Sequence, residues 1–241
     1  MYQKDRGVVL HQLKYSEDSL IVNVFTEQNG AMSFWMKVSR ASRTRVLSSL
    51  LSPLNFVDIL YDNRPGKTIH RIVELNAYHP CRSIPYHPLK TSIVLFLQEF
   101  LYYTLRKETA NKPLFLYMEH AIQWLDECEE RFTNFHLMFL LNLTRFLGFL
   151  PNLDGYRKGF LFDLQEGAFS SSIPVHKCYL DAVESSWVKE FMRMNTRTMT
   201  HFHLNREQLT RVLSILNEYY RLHVPEFPEL KSVAILQEVL S

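Results

Sequence analysis

Cysteine is scarce in this sequence: Cys81, Cys128 and Cys178 are the only three among 241 residues. Their odd number and wide spacing argue against the disulfide framework of a small secreted protein and favour a reducing compartment. Three scattered cysteines also cannot supply the paired CxxC motifs of a four-ligand structural zinc site. We therefore expect a cytoplasmic protein that holds no metal and no other cofactor.

Familiar catalytic motifs are missing as well. The chain has only 7 glycines, and it contains no GxxxxGK[ST] loop, no GxGxxG and no GxSxG nucleophile elbow. The carboxylates at 127–130 lie in a helical pattern, where a solvated face is the simpler interpretation. The common nucleotide-binding and hydrolase classes are thus disfavoured, and we expect no catalytic residues.

Long apolar runs are also absent. The most apolar stretches carry charges or amides every few residues, so none qualifies as a membrane span, and the opening MYQKDRG lacks the apolar core of a signal peptide. We expect no membrane contact. The formal net charge is only +2, so any strongly basic surface must come from local clustering.

Residues 7–45 combine alternating strands with a basic loop. Apolar residues alternate along 20–25 and again along 32–38, which is the period of half-buried strands. Leu20, Val22 and Val24 share one face, and Asn29-Gly30 supplies a turn that tolerates positive φ. This pattern predicts a small antiparallel β-domain at the start of the chain.

The basic loop that follows is the strongest functional signal. Arg40, Arg43 and Arg45 lie close together, and no acidic residue occurs between Gln28 and Asp58. Trp35 and Lys37 precede the loop on the polar side of their strand. Single-stranded nucleic acid requires cations for phosphates and aromatic rings for bases, so we predict a DNA site at these positions. The alternatives are a solvated hairpin loop and a Trp35 that serves only the barrel. The predicted DNA-binding residues are Trp35, Lys37, Arg40, Arg43 and Arg45.

The periodicity changes along the chain. Further strands at 54–61 and 67–78 bring the total to five, which suits a small closed barrel; an OB-fold and an SH3-like barrel fit nearly equally well. Beyond the prolines at 80, 85 and 88 the period becomes helical, with helices expected at 89–107, 114–129, 132–148, 205–224 and 229–240, and a weaker one at 179–194. The predicted class is α+β: a five-stranded OB-fold barrel over 1–80, then an all-helical domain over 81–241 that carries a loop at 149–178, for which a loop containing a hairpin is the alternative.

Several segments together resemble the RecO family of bacterial recombination mediators. They are GVVLHQLKYSEDSLIVNVFTEQNG at 7–30, VSRASRTR at 38–45, LSPL at 51–54, FLGFLP at 146–151, and LKS at 230–232 with the apolar tail after it. Each is weak alone, but their order and spacing cover nearly the whole chain. Many members carry four cysteines in the loop after the position of Pro151. Residues 152–177 contain none, so packing by Phe160, Phe162 and Phe169 is expected in place of zinc.

The resemblance implies a non-catalytic DNA-repair protein associated with the nucleoid. Members bind single- and double-stranded DNA through the barrel and the adjoining basic surface, anneal complementary strands, bind the C-terminal tail of single-strand binding protein and act with RecR to load RecA. The barrel, the cationic loop and the lack of catalytic motifs are read from the residues, whereas the partners come from the resemblance alone. The alternatives are an OB-containing DNA-processing enzyme such as a nuclease and a purely structural interaction protein.

A site for the partner tail is predicted on two helices. The tail is acidic and ends in an apolar residue with a free carboxylate, as the resemblance implies. Phe135, Phe139 and Leu143 share one helix face, and Arg206 and Arg211 lie on a later amphipathic helix. Arginine can hold a carboxylate through two parallel hydrogen bonds. The competing interpretation is a buried aromatic face beside arginines that are merely solvated.

Overall fold

The computed structural model describes residues 1–38, 49–64 and 66–239. Its first part is a closed five-stranded barrel in the order β1-β2-β3-β5-β4. The strands are β1 (Tyr2–Ser16), β2 (Ser19–Thr26), β3 (Gly30–Lys37), β4 (Phe56–Asp62) and β5 (Ile69–His79). All neighbours are antiparallel except β3 and β5. This arrangement agrees with the OB-type barrel expected from the sequence.

Barrel closure depends on the length of β1. The sequence pattern suggested short strands, but β1 has 15 residues. Its first half pairs with β4 and its second half pairs with β2. One long strand that serves two neighbours removes the open edges that a short strand would leave.

The barrel interior is filled by alternating side chains, as the sequence predicts for β2 and β3. Val22, Val24 and Phe34 are at most 1% exposed and lie in the barrel core, whereas Ile21 and Trp35 on the opposite face line an external groove. The buried core members are Val9, Val22, Val24, Phe34, Leu51, Val57, Ile59, Tyr61 and Ile72.

The turn between β2 and β3 also contacts the helical part of its own compact unit. Gly30 has φ +73°, as expected for the Asn-Gly turn. A Cβ atom at Gly30 would lie 2.4 Å from the backbone carbon of Thr109, and the Ala31 amide donates to the Glu108 carbonyl at 2.9 Å. Glycine is therefore required by close backbone approach as well as by conformation.

Two helices complete the first compact unit, Met1–Glu127. They are α1 (Pro88–Leu105) and α2 (Lys112–Glu127). The Tyr102 ring of α1 stacks on His11 at 4.6 Å, and the Phe115 ring of α2 meets the edge of Phe56 at 6.0 Å. Because these helices pack on the barrel, this unit is larger than the 1–80 domain expected from the sequence.

The second compact unit, Cys128–Ser241, is not all-helical. Its helices are α3 (Phe135–Leu147), α4 (Ala182–Phe191), α5 (Arg206–His223) and α6 (Ser232–Val239). Three short strands, β6 (Leu161–Asp163), β7 (Ala168–Ser170) and β8 (Tyr179–Leu180), form a sheet in the order β7-β6-β8. The sequence prediction of an all-helical domain was wrong, because strands of two or three residues are too short to show a period of two.

The segment 149–178 is held by apolar packing. The rings of Phe162 and Phe169 lie 5.0 Å apart, and Cys178 packs against the same apolar cluster. Phe160 is half-buried and is not a member of that cluster. Structural zinc takes four nitrogen or sulfur ligands, and within the described residues no three His, Cys, Asp or Glu side chains are grouped to hold a metal. Residues 152–177 contain no cysteine, so this segment does not fit the four-cysteine zinc site that the resemblance implies.

Over the parts of the chain with assigned structure, no helix combines the length and the apolar character needed to cross a bilayer.

Candidate nucleic-acid interface

A groove on the outer face of the barrel brings together aromatic and cationic side chains. Strands β3 and β5 run parallel where Trp35 is paired with Arg71, and Trp35 is also opposite Ile21 of β2. Because Phe34 points into the core, its neighbour Trp35 faces outwards. The pairing therefore places an indole ring beside a guanidinium on the barrel surface.

The groove has a volume of about 470 Å³. Tyr15 and Ile69 on its walls are 67% and 44% exposed, which is unusual for large apolar side chains. The loop between β4 and β5 contributes Arg64 and Lys67. The lining residues are Tyr15, Ile21, Trp35, Asp62, Arg64, Lys67, Ile69 and Arg71. OB-type barrels bind oligonucleotides on this face, between strands 2–3 and the loop after strand 4.

Only some of the cations in the groove are paired within the protein. Arg64 Nε donates to Asp62 Oδ2 at 2.7 Å, and this hydrogen bond is the main cause of the lowered pKa of Asp62. Among the described residues no carboxylate lies within 4.0 Å of the Lys67 ammonium or the Arg71 guanidinium. These two side chains are therefore available to an external anion such as a phosphate.

The DNA-binding residues predicted from the sequence are only partly placed. Trp35 lines the groove, half-buried. Lys37 is 69% exposed, and its Nζ lies 3.6 Å from Asp18 Oδ2; the pKa of Asp18 is lowered, first by the Ser16 hydroxyl and then by Lys37. The predicted contacts Arg40, Arg43 and Arg45 lie outside the described residues.

Of the eight lining residues, sequence reasoning identified only Trp35; the missed ones include the exposed Tyr15 and the cations Arg64, Lys67 and Arg71. The segment that carries Arg64 is recognisable as a turn from its sequence, Asp-Asn-Arg-Pro-Gly at 62–66. Its position beside β3, however, depends on a parallel pairing between distant segments, which no local pattern reveals. Knowledge of the barrel topology, together with the exposed Lys67, would have been needed to place these residues beside Trp35.

The predicted tail-binding face is part of the protein core. Phe135, Phe139 and Leu143 are each 0% exposed, and the two phenylalanine rings lie 5.9 Å apart. A partner peptide cannot reach them, so this part of the prediction was wrong. The reason is that α3 is apolar on nearly all sides, as expected of a helix surrounded by other elements.

The two arginines of the predicted tail site differ in environment. Arg211 is held by Glu184 of α4 through two hydrogen bonds, Nε to Oε1 at 2.5 Å and Nη2 to Oε2 at 2.9 Å, and this pairing raises the pKa of Arg211. Arg206 is exposed at the first position of α5. Five helical positions separate them, which is a rotation of about 140° around the helix axis. They therefore do not border one pocket.

An apolar cavity lies next to the Arg211–Glu184 pair. It is small, about 40 Å³, and Glu184 and Trp187 of α4 are among its lining residues. The apolar lining includes Leu141, Pro151, Phe162, Leu164, Leu180, Trp187, Val188, Phe191, Val212, Ile215, Leu216 and Tyr219. The predicted tail site requires an arginine that can bind a carboxylate and an apolar cavity beside it. This part of the protein has both, but its apolar residues are not the predicted ones.

Comparison with known proteins agrees with this architecture. The family model described as "Recombination protein O N terminal" matches residues 1–80, and "Recombination protein O C terminal" matches residues 86–233. The chain is 46% identical over 241 residues to the DNA repair protein RecO of Phocaeicola vulgatus, covering 100% of both chains. It is 47% identical over 240 residues to that of Bacteroides fragilis, covering 99% of each, and 33% identical over 235 residues to that of Porphyromonas gingivalis, covering 96% of each. The chain belongs to the RecO (recombination protein O) family.

Proposed function

We propose that this protein is a DNA-repair and recombination mediator that binds single- and double-stranded DNA. It anneals complementary strands and, together with RecR, helps to load RecA onto DNA coated with single-strand binding protein. It acts at the nucleoid, without catalysis of its own. Family membership supports this role, and the adjacency of Trp35 and Arg71 in the barrel groove is the observation that carries the DNA-binding part.

The groove suits a single strand for two physical reasons. Lys67 and Arg71 can each neutralise a phosphate and release its condensed counterion, which contributes affinity for any sequence. Trp35 and Tyr15 offer rings on which unpaired bases can stack, and every base has a face for stacking. Arg40, Arg43 and Arg45 remain proposed phosphate contacts, as does Lys37 at the end of β3.

Replacing Trp35 with alanine should weaken single-stranded DNA binding about tenfold, because one stacked base contributes roughly 1–3 kcal/mol. Duplex binding should change much less, because paired bases are not available for stacking. Fluorescence anisotropy with a labelled oligothymidylate and a duplex of equal length measures both affinities.

The matched control for that experiment is Trp35→Phe, which keeps an aromatic face and should retain most of the single-strand affinity. An equal loss on single strands and duplexes, or a phenylalanine variant as weak as the alanine variant, would contradict base stacking at Trp35.

We further propose that the tail of single-strand binding protein docks at the cavity beside Arg211. Its terminal carboxylate would compete with Glu184 for Arg211, and its apolar end would enter between Trp187 and Ile215 once the Trp187 side chain moves. A movement is needed because the cavity has little more room than one water molecule occupies.

Replacing Arg211 with alanine should weaken binding of a tail peptide by roughly 1–3 kcal/mol, the range for a hydrogen bond to a charged group. Glu184→Gln should strengthen it, because the competing carboxylate is removed. Arg221→Glu, an exposed position on the same helix, is the control and should leave affinity unchanged. Peptide affinities that do not differ between Arg211→Ala and Glu184→Gln in a fluorescence titration would exclude this site.

A further inference from the structure

A cationic surface of the C-terminal unit is made of residues that do not line the tail cavity. The turn that follows Gly155 carries Tyr156, Arg157 and Lys158, and α4 carries Lys189. The Lys189 ammonium lies 4.4 Å from the centroid of the Tyr156 ring, so α4 and the turn meet at this ring. Lys189 is thus brought to the tyrosine that directly precedes Arg157 and Lys158 in the chain.

The turn is well anchored in its own unit. The Asn152 amide donates to the Gly167 carbonyl at 2.7 Å, and the Phe160 amide donates to the Arg157 carbonyl at 3.0 Å. The Tyr156 ring also meets the edge of Phe169 at 5.1 Å. A fixed backbone reduces the entropy lost when its side chains hold a ligand.

These cations are not neutralised within the described part of the protein. Arg157 and Lys158 are exposed, and no described carboxylate lies within 4.0 Å of either charged group. In the same unit Arg211 is fully engaged by Glu184. The difference leaves Arg157 and Lys158 available for an external polyanion.

The ring at the centre of this surface indicates which part of a nucleic acid it contacts. One face of Tyr156 carries Lys189 and its ring packs against Phe169, so it offers little room for a stacked base. In the barrel groove, by contrast, Tyr15 is largely exposed. The C-terminal surface is therefore suited to the phosphate backbone and not to bases.

We propose that Arg157, Lys158 and Lys189 form a second nucleic-acid site, which holds the phosphate backbone of another strand while the barrel groove holds the first. This inference rests on the proposed function of the groove. It gives annealing a physical basis, because one protein molecule then concentrates two strands whose mutual repulsion it screens. Since only phosphates are contacted, the second site accepts single strands and duplexes alike.

The test is the number of oligonucleotides bound per chain. A labelled oligothymidylate of about 10 nucleotides, within the range of one OB-type site, is titrated and followed by sedimentation velocity. The wild-type protein should bind two molecules. The Arg157→Glu/Lys158→Glu variant should bind the first with unchanged affinity and the second at least about tenfold more weakly, as expected when charge-assisted contacts are lost. Lys189→Ala, a milder change, should weaken only the second molecule.

The matched control is Arg197→Glu/Arg221→Glu, which changes the charge of the same unit equally at exposed positions and should still bind two molecules. The second site would be overturned if the Arg157→Glu/Lys158→Glu variant bound two oligonucleotides as well as the wild type. It would also be overturned if that variant lost only the binding of an acidic peptide. A different outcome is that the wild-type protein binds one oligonucleotide, in a complex that is lost when Lys67 and Arg71 are replaced. That result would contradict this inference but support the proposed function of the groove. No binding at all would overturn both.

Discussion

Replacing Lys67 and Arg71 together with alanine lowers the affinity for single-stranded DNA by about a hundredfold, if each phosphate contact contributes ~1.5 kcal/mol. The plot of log affinity against log salt concentration also becomes shallower, by about 0.7 for each lost contact. Both effects follow because these two groove cations have no carboxylate partner among the described residues. Anisotropy titrations at several salt concentrations measure them.

The control for that pair is Lys4→Ala/Arg82→Ala. It also removes one lysine and one arginine from exposed positions of the same compact unit, and it should retain the wild-type slope. If the groove variant keeps the full salt dependence while a variant lacking Arg40, Arg43 and Arg45 loses it, those three arginines hold the phosphates and the groove is not the main site.

Mild acid should destabilise the C-terminal unit through one histidine. His136 on α3 is 0% exposed, and burial lowers its pKa from the ordinary 6.5 to about 3. Above pH 6.5 both the folded and the unfolded protein carry it neutral. Below that value only the unfolded state takes up the proton, so the free energy of unfolding falls by up to ~1.4 kcal/mol per pH unit until about pH 3. Between pH 7 and pH 5 the loss from this group is about 2 kcal/mol.

Urea denaturation at several pH values isolates this contribution. In His136→Gln the decrease in stability between pH 7 and pH 5 should be smaller by about 2 kcal/mol, whatever the variant's stability at pH 7. His203→Gln removes an exposed histidine from the same unit and should leave the pH dependence as in the wild type. Identical pH profiles for His136→Gln and the wild type would show that the pKa of His136 is the same in the folded and unfolded states.

Local chemistry explains which elements could be predicted. Asn205 caps α5 through a capping box with Gln208, and Gly148 ends α3 with φ +85°. Both residues lie at ends of helices that the sequence predicted, at 205–224 and 132–148. Asn29-Gly30 formed the expected turn. Each of these features depends on residues within a few positions, so a single sequence is enough to reveal it.

The site was less predictable because it depends on contacts between distant segments. Trp35 was identified from its neighbours, but Arg71 joins it only through the parallel pairing of β3 and β5. Similarly, the spacing of Phe135, Phe139 and Leu143 defined one helix face correctly. It could not tell that other elements cover that face, because exposure is a property of the packed unit and not of the helix alone.

The contact of Gly30 with the Glu108–Thr109 backbone bears on how this protein can be divided. A fragment that stops at residue 80, where the N-terminal family model ends, would keep the β2–β3 turn but remove the backbone against which it packs. It would also expose the Phe56 ring, which Phe115 contacts in the intact chain. The boundary of a family model therefore need not coincide with the boundary of a unit that packs, and folds, as a whole. The smallest piece suited to isolated study therefore extends to residue 127.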